Sequence, residues 1–151
     1  MTGRFTARAL SLTALLTVAL VSPALAVPSS TTYESQVVNR TNDYRSARDL
    51  VRLKTHSCVD RFAESNAARM AASHDFEHQD LRRVLDECNL TGVAENIAYG
   101  YTSGNKTVDA WMGSPGHRKN ILTPSMRYIG VGAVRDDDGR WWVAQVFGTK
   151  K

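Results

Sequence analysis

The apolar residues of this chain change their spacing part-way along, and that change limits the fold more than any other feature. Tyr33, Val37, Thr41 and Tyr44 recur at steps of four and three, as do Val59, Phe62, Ala63, Ala67, Met70 and Ala71. Both sets mark one face of an amphipathic helix. From Ile129 onward the step is two: Ile129, Val131 and Ala133 alternate with Gly130 and Gly132, and Asp136-Asp137-Asp138-Gly139 turns the chain into a second run from Arg140 to Phe147. That pattern predicts a β-hairpin. Helices first and an antiparallel sheet after them predict an α+β layered domain, with no internal repeat.

The segments between are read the same way. Leu50 to Ser57 is expected to be a loop, with Ser57 available to cap the second helix. Gln79 to Cys88 offers a helical turn or two, and Asn89 to Gly92 then reads as a turn. Asn105 is a candidate cap for a short helix burying Val108, Trp111 and Met112, stopped by Gly113-Ser114-Pro115-Gly116. A single turn through Asn120-Ile121-Leu122 is expected to end at Pro124.

The N-terminus carries Arg4 and Arg8, an apolar run from Ala9 to Val21, and the small-residue site Ala24-Leu25-Ala26. This is the construction of a secretory signal peptide, with cleavage expected after Ala26. The run is too short, and lacks the basic stop-transfer flank, to be expected to span a membrane. Residues 27–32 read as a flexible lead-in, and the domain is expected over 33–151. The expected location is extracellular.

Export bears on the two cysteines. Cys58 and Cys88 can pair only with each other within the chain, and disulfides persist outside the cytosol. Closing the loop between them would constrain the unfolded chain by about 3–4 kcal/mol. Without Arg4 and Arg8, the 19 basic residues become 17 against 15 acidic ones, a balance of +2 that gives no argument for nucleic acid. Arg40, Arg45, Arg48, Arg52 and Lys54 form a locally basic stretch, with Asp43 and Asp49 among them. It reads as a solvated helix face with a weak attraction for anionic cell surfaces.

Two phrases carry a resemblance. Ala94-Glu95-Asn96-Ile97-Ala98 resembles the G-E-N-I/L-A element, and Trp111-Met112-Gly113-Ser114-Pro115-Gly116-His117-Arg118-Lys119-Asn120-Ile121-Leu122 the W-x-x-S-P-G-H-R-x-N-I-L element, of the cysteine-rich secretory, antigen 5 and pathogenesis-related (CAP, or SCP-like) proteins, bacterial branch. The resemblance runs from about Val37 to Gly148. It implies a three-layer α-β-α sandwich with a central antiparallel sheet, and a cleft in which two histidines and two glutamates can hold zinc or another divalent ion. Residue by residue, His117 and Glu95 match, and His78 in Phe76-Glu77-His78 matches the first histidine, with His74 as the fallback. Ser114 stands where the second glutamate belongs, and Ala94 replaces a glycine.

Two imidazoles and a carboxylate form a ligand set that leaves Zn²⁺ an open position for water. The same side chains can instead pin loops by hydrogen bonds. Asn96 and Asn120 are expected to tie loop backbones together, Trp111, Trp141 and Trp142 to be core or sheet-face residues, and Tyr99 and Tyr101 to pack half-buried or to line the cleft and stack on a sugar or apolar ligand. Ser114 is a nucleophile only if His117 reaches it. With one family carboxylate missing, the expected function is a non-enzymatic extracellular binding protein for a lipid or sterol-like ligand, a divalent metal or a cell-surface component. The competing expectation is a metal-dependent hydrolase acting on peptide or cell-wall material, in which Glu95 would have to serve as either ligand or base.

Overall fold

A computed structural model describes residues 27–150; the leader read over residues 1–26 lies outside the described residues. The elements run α1 (Ser30–Ser46), β1 (Lys54–Thr55), α2 (Ser57–Ser73), α3 (Leu81–Glu87), β2 (Leu90–Tyr99), α4 (Gly104–Gly113), α5 (Pro115–Leu122), β3 (Tyr128–Arg135) and β4 (Trp141–Lys150). The four strands form one sheet in the order β1-β3-β4-β2, antiparallel except for the two-residue parallel strand β1 at one edge.

Successive residues of a strand face opposite ways, and here each face is covered by helices. Val143 and Phe147 of β4 join Tyr33 and Val37 of α1, Val108 and Trp111 of α4 and Ile121 of α5. Trp142, Ala144 and Val146 face the other way, toward α2 and α3. The result is the α-β-α sandwich. The glycines in β3 set the spacing of the second face. A Cβ on Gly130 would collide with the backbone of Val59 and Asp60, and one on Gly132 with the backbone of Ala63 and Glu64. The helix α2 therefore lies directly on the strand, and Asp60 accepts a hydrogen bond from the Val131 N–H at 3.0 Å. Cys58 at the start of α2 and Cys88 at the end of α3 are joined by a disulfide, with Cα atoms 5.7 Å apart.

Several expectations need correction. The segment 27–32 is not wholly a lead-in, because α1 begins at Ser30 with Ser29 as its cap, its hydroxyl accepting from the Thr32 N–H. Residues 89–92 are not just a turn: β2 starts at Leu90, its alternation hidden by Thr91, Glu95 and Asn96. His56, not Ser57, holds the N-cap position of α2, without a side-chain hydrogen bond; Ser103 rather than Asn105 caps α4, and α5 has eight residues with proline in its first turn, where a missing N–H costs nothing. Arg45 does not belong to a solvated face. It is fully buried, and its guanidinium donates to the carbonyls of Val51, Ile121, Thr123 and Met126 at 2.8–3.3 Å. Among the described residues no carboxylate pairs with it.

Candidate functional site

The second layer holds a buried carboxylate. Glu95 lies on β2 opposite Val146 and points toward α2, with its side chain 0% exposed. A buried carboxylate is tolerated only when its oxygens are hydrogen-bonded. Asn66 Nδ2 and Gln79 Nε2 donate to Oε1 at 2.9 and 2.6 Å, while the Gln79 backbone N–H at 3.3 Å and His78 Nδ1 at 2.6 Å meet Oε2. Asn66 is itself fixed by Arg69, whose Nε and Nη2 both donate to its Oδ1 and whose Nη2 also donates to the Glu77 carbonyl at 2.7 Å. The segment carrying His78 and Gln79 is thus tied to α2.

The imidazole of His78 spans the boundary between core and solvent, 55% exposed and anchored at Nδ1, so Nε2 is the nitrogen left for a ligand. His74 does not substitute for it. At the left-handed end of α2, His74 stacks on Trp142 at 5.9 Å and sits 3.7 Å from Asp136. That carboxyl is drawn down to about 2, because hydrogen bonds from Trp142 Nε1, the Arg140 N–H and the Arg140 guanidinium outweigh its desolvation.

His117 comes from α5, and neighbouring amides hold that helix against the outer edge of β2. Asn96 Nδ2 donates to the His117 carbonyl at 3.3 Å, and Asn120 Nδ2 donates to the Glu95 carbonyl at 3.1 Å and to Asn96 Oδ1 at 3.0 Å. His117 and Asn120 are three positions apart and share a helix face, which is the physical content of the H-R-x-N spacing. Asn96 continues inward to Gln145 Oε1 at 3.1 Å, and Gln145 Nε2 donates to Thr41 at 2.7 Å, a chain of neutral groups through the first layer. The His117 pKa is lowered, first by desolvation and then by the charge of His78. The two rings line different cavities, His78 beside Asn66, Arg69 and Gln79, and His117 beside Ser114 and Trp111.

His117 and Ser114 line a cavity of about 270 Å³ with Phe76, Tyr99, Tyr101 and Trp111. No carboxylate lines it. Tyr99 stacks on Trp142 at 5.0 Å and Phe76 meets Tyr99 edge-on at 5.1 Å; Tyr99 and Tyr101 are about half-buried, and Trp111, Trp141 and Trp142 are buried, as expected. Among the described residues no group of three or more His, Cys, Asp or Glu side chains is arranged to hold a metal ion. The expected three-ligand set is corrected for a clear reason: Glu95 has donors on both oxygens and faces α2 rather than the cavity. Sequence reading missed Asn66 and Gln79. Asn66 gave a signal, a polar residue inside the apolar stripe between Phe62 and Met70; Gln79 gave none beyond following His78.

Residues 38–147 match the model of the cysteine-rich secretory protein family, CAP. The chain belongs to that family. Over 129 residues it is 36% identical to the YkwD protein of Bacillus subtilis, covering 80% of this chain and 49% of that protein. Over 112 residues it is 31% identical to the membrane protein YlbC of the same organism, covering 70% of this chain and 32% of that protein. The chain thus spans about half the length of the first CAP relative and a third of the second. An extracellular SCP-domain protein of Bacillus anthracis superposes with a TM-score of 0.70 at 26% identity, covering 80% of this chain and 41% of that one. Among the described residues no helix is long and apolar enough to cross a membrane.

Proposed function

We propose that this chain is an exported, non-enzymatic binding protein whose CAP cleft takes its ligand at the imidazoles of His78 and His117, with Glu95 positioning His78 rather than acting as a base. The observation that carries this reading is the state of Glu95, which is fully buried and hydrogen-bonded on both oxygens. A carboxylate acting as general base needs a lone pair facing the substrate, and no carboxylate lines the His117 cavity to supply one. The Cys58–Cys88 bridge supports export, since such bonds persist in oxidising compartments.

The donor set suits a divalent cation held weakly. A ligating histidine commonly has its other ring nitrogen bonded to a carboxylate, which fixes the ring, and His78 has that arrangement with Glu95. His78 Nε2 and the ring of His117 would be the protein ligands, leaving the remaining positions to water or to a polar group of the bound partner. A bound cation would supply Lewis acidity, while the residues of the chain only bind and orient. Calorimetric titration with zinc chloride at neutral pH tests the reading. Saturable binding that disappears in both His78→Ala and His117→Ala is expected. Unchanged zinc binding in those variants would overturn the imidazole site, and zinc-dependent cleavage of peptide or cell-wall substrate that is lost in Glu95→Gln would overturn the non-enzymatic reading.

A further inference from the structure

A second cavity, of about 920 Å³, shares only Tyr101 with the one beside His117. It is walled by the start of α1, the loop before α4, the start of α4 and the turn between β3 and β4. Two helices thus present their N-termini to one space, capped by Ser29 and Ser103, and neither has an acidic residue in its first turn. Each such end behaves as roughly half a positive charge, although the Thr32, Gly104 and Lys106 N–H groups are already taken by Ser29 Oγ, Gln36 Oε1 and Ser103 Oγ.

The side chains add to that field. Lys106, Arg135 and Arg140 stand in the wall, and no aspartate or glutamate lines it. Arg140 is neutralised by Asp136 and Asp138. Lys106 donates to the Thr102 hydroxyl at 3.2 Å and Arg135 to the Gly139 carbonyl at 2.8 Å, contacts that hold the side chains without cancelling their charge. Among the described residues neither has a carboxylate partner. The Arg135 guanidinium lies 5.8 Å from the ring of Trp141, which is 4% exposed, forms part of the same wall, and has an indole Nε1 with no hydrogen-bond partner.

We infer that this cavity is an anion site for a phosphate-bearing ligand, separate from the histidine cleft. Charge complementarity gives the sign of the occupant, and the spread of donors gives its class. Lys106 reaches in from α4, Arg135 from the hairpin, and two helix ends from other directions, which suits a group carrying several equivalent oxygens.

Calorimetry at low salt with sodium phosphate and sodium tripolyphosphate, with tryptophan emission as a second readout, tests the site. The expected result is saturable binding, tighter for the polyanion, that weakens as salt is added. Lys106→Gln and Arg135→Gln should each weaken it by about tenfold, the effect of one charge-assisted contact. His117→Ala should bind phosphate as the parent does, so failure here and failure of the cleft reading are separable. Absence of saturable binding to either anion, or parental affinity in both charge variants, overturns the site. A further arm uses vesicles containing phosphatidylglycerol: binding that both charge variants retain would mark diffuse attraction to a charged surface and also overturn it.

Discussion

Glu95 and Asn96 are neighbours on one strand, yet they anchor opposite kinds of polar structure. Glu95 faces α2, presents a carboxyl group, and connects to solvent through a half-exposed histidine. Asn96 faces α1 and belongs to a run of neutral amides and a hydroxyl, from Asn120 through Gln145 to Thr41, that stays inside. The layers around them differ in the same sense. The face toward α1 is filled with bulky apolar side chains, whereas on the other face glycines bring α2 onto the backbone of β3. A neutral chain can hold loops in place without responding to its surroundings. A buried carboxylate that touches an exposed imidazole is where a bound ligand or a proton can be felt.

The largest effect expected from breaking this contrast is at the glycines. Gly132→Val should abolish folding, or cost more than about 4 kcal/mol in urea unfolding, because the new side chain meets helix backbone that cannot move aside. The same substitution at Ala133, which faces the apolar layer, should be much milder. Glu95→Ala comes next. It strips acceptors from Asn66 and Gln79, and unfolding should show a loss of roughly 2–4 kcal/mol. Asn96→Ala should cost less, about 1–3 kcal/mol, and should also loosen α5, visible as faster amide exchange near His117.

The smallest effect sharpens the contrast through pH. Because the folded His117 has a lowered pKa, the unfolded chain binds the proton more readily. Its contribution to stability is therefore present above the ordinary histidine value of 6.5 and is lost as pH falls through the folded pKa. Denaturation midpoints measured across that window should fall with pH in the parent and fall less in His117→Gln.

Much of the fold was legible because apolar spacing reports which face is buried. It located α1, α2 and the hairpin, and the two cysteines had no other partners. The second strand was lost because Glu95 and Asn96 are both buried and both polar, so the alternation of Val93 and Ile97 against Ala94 and Ala98 is masked by residues that normally mark exposure. The glycines of β3 read as mere spacers, since a close approach between helix and strand leaves no trace in spacing. In the site, Glu95 and His117 were legible from two motifs and His78 from the shorter phrase Phe76-Glu77-His78, but how the three side chains are arranged was not. Whether Glu95 faces a ligand or the donors of Asn66 and Gln79 depends on where α2 lies in space.

Arg45 carries a consequence for how the chain comes into being. Three of the four carbonyls that receive its guanidinium lie 76, 78 and 81 positions further along. Contacts of such long range form late, after the loop between them has closed. A product of interrupted synthesis that ends before Ile121 would leave that cation with most of its acceptors missing, and α1 could not seat. Such incomplete chains are accordingly expected to lack a stable fold and to remain open to proteases. The same delay would keep the nascent polypeptide threadable until its last strands emerge.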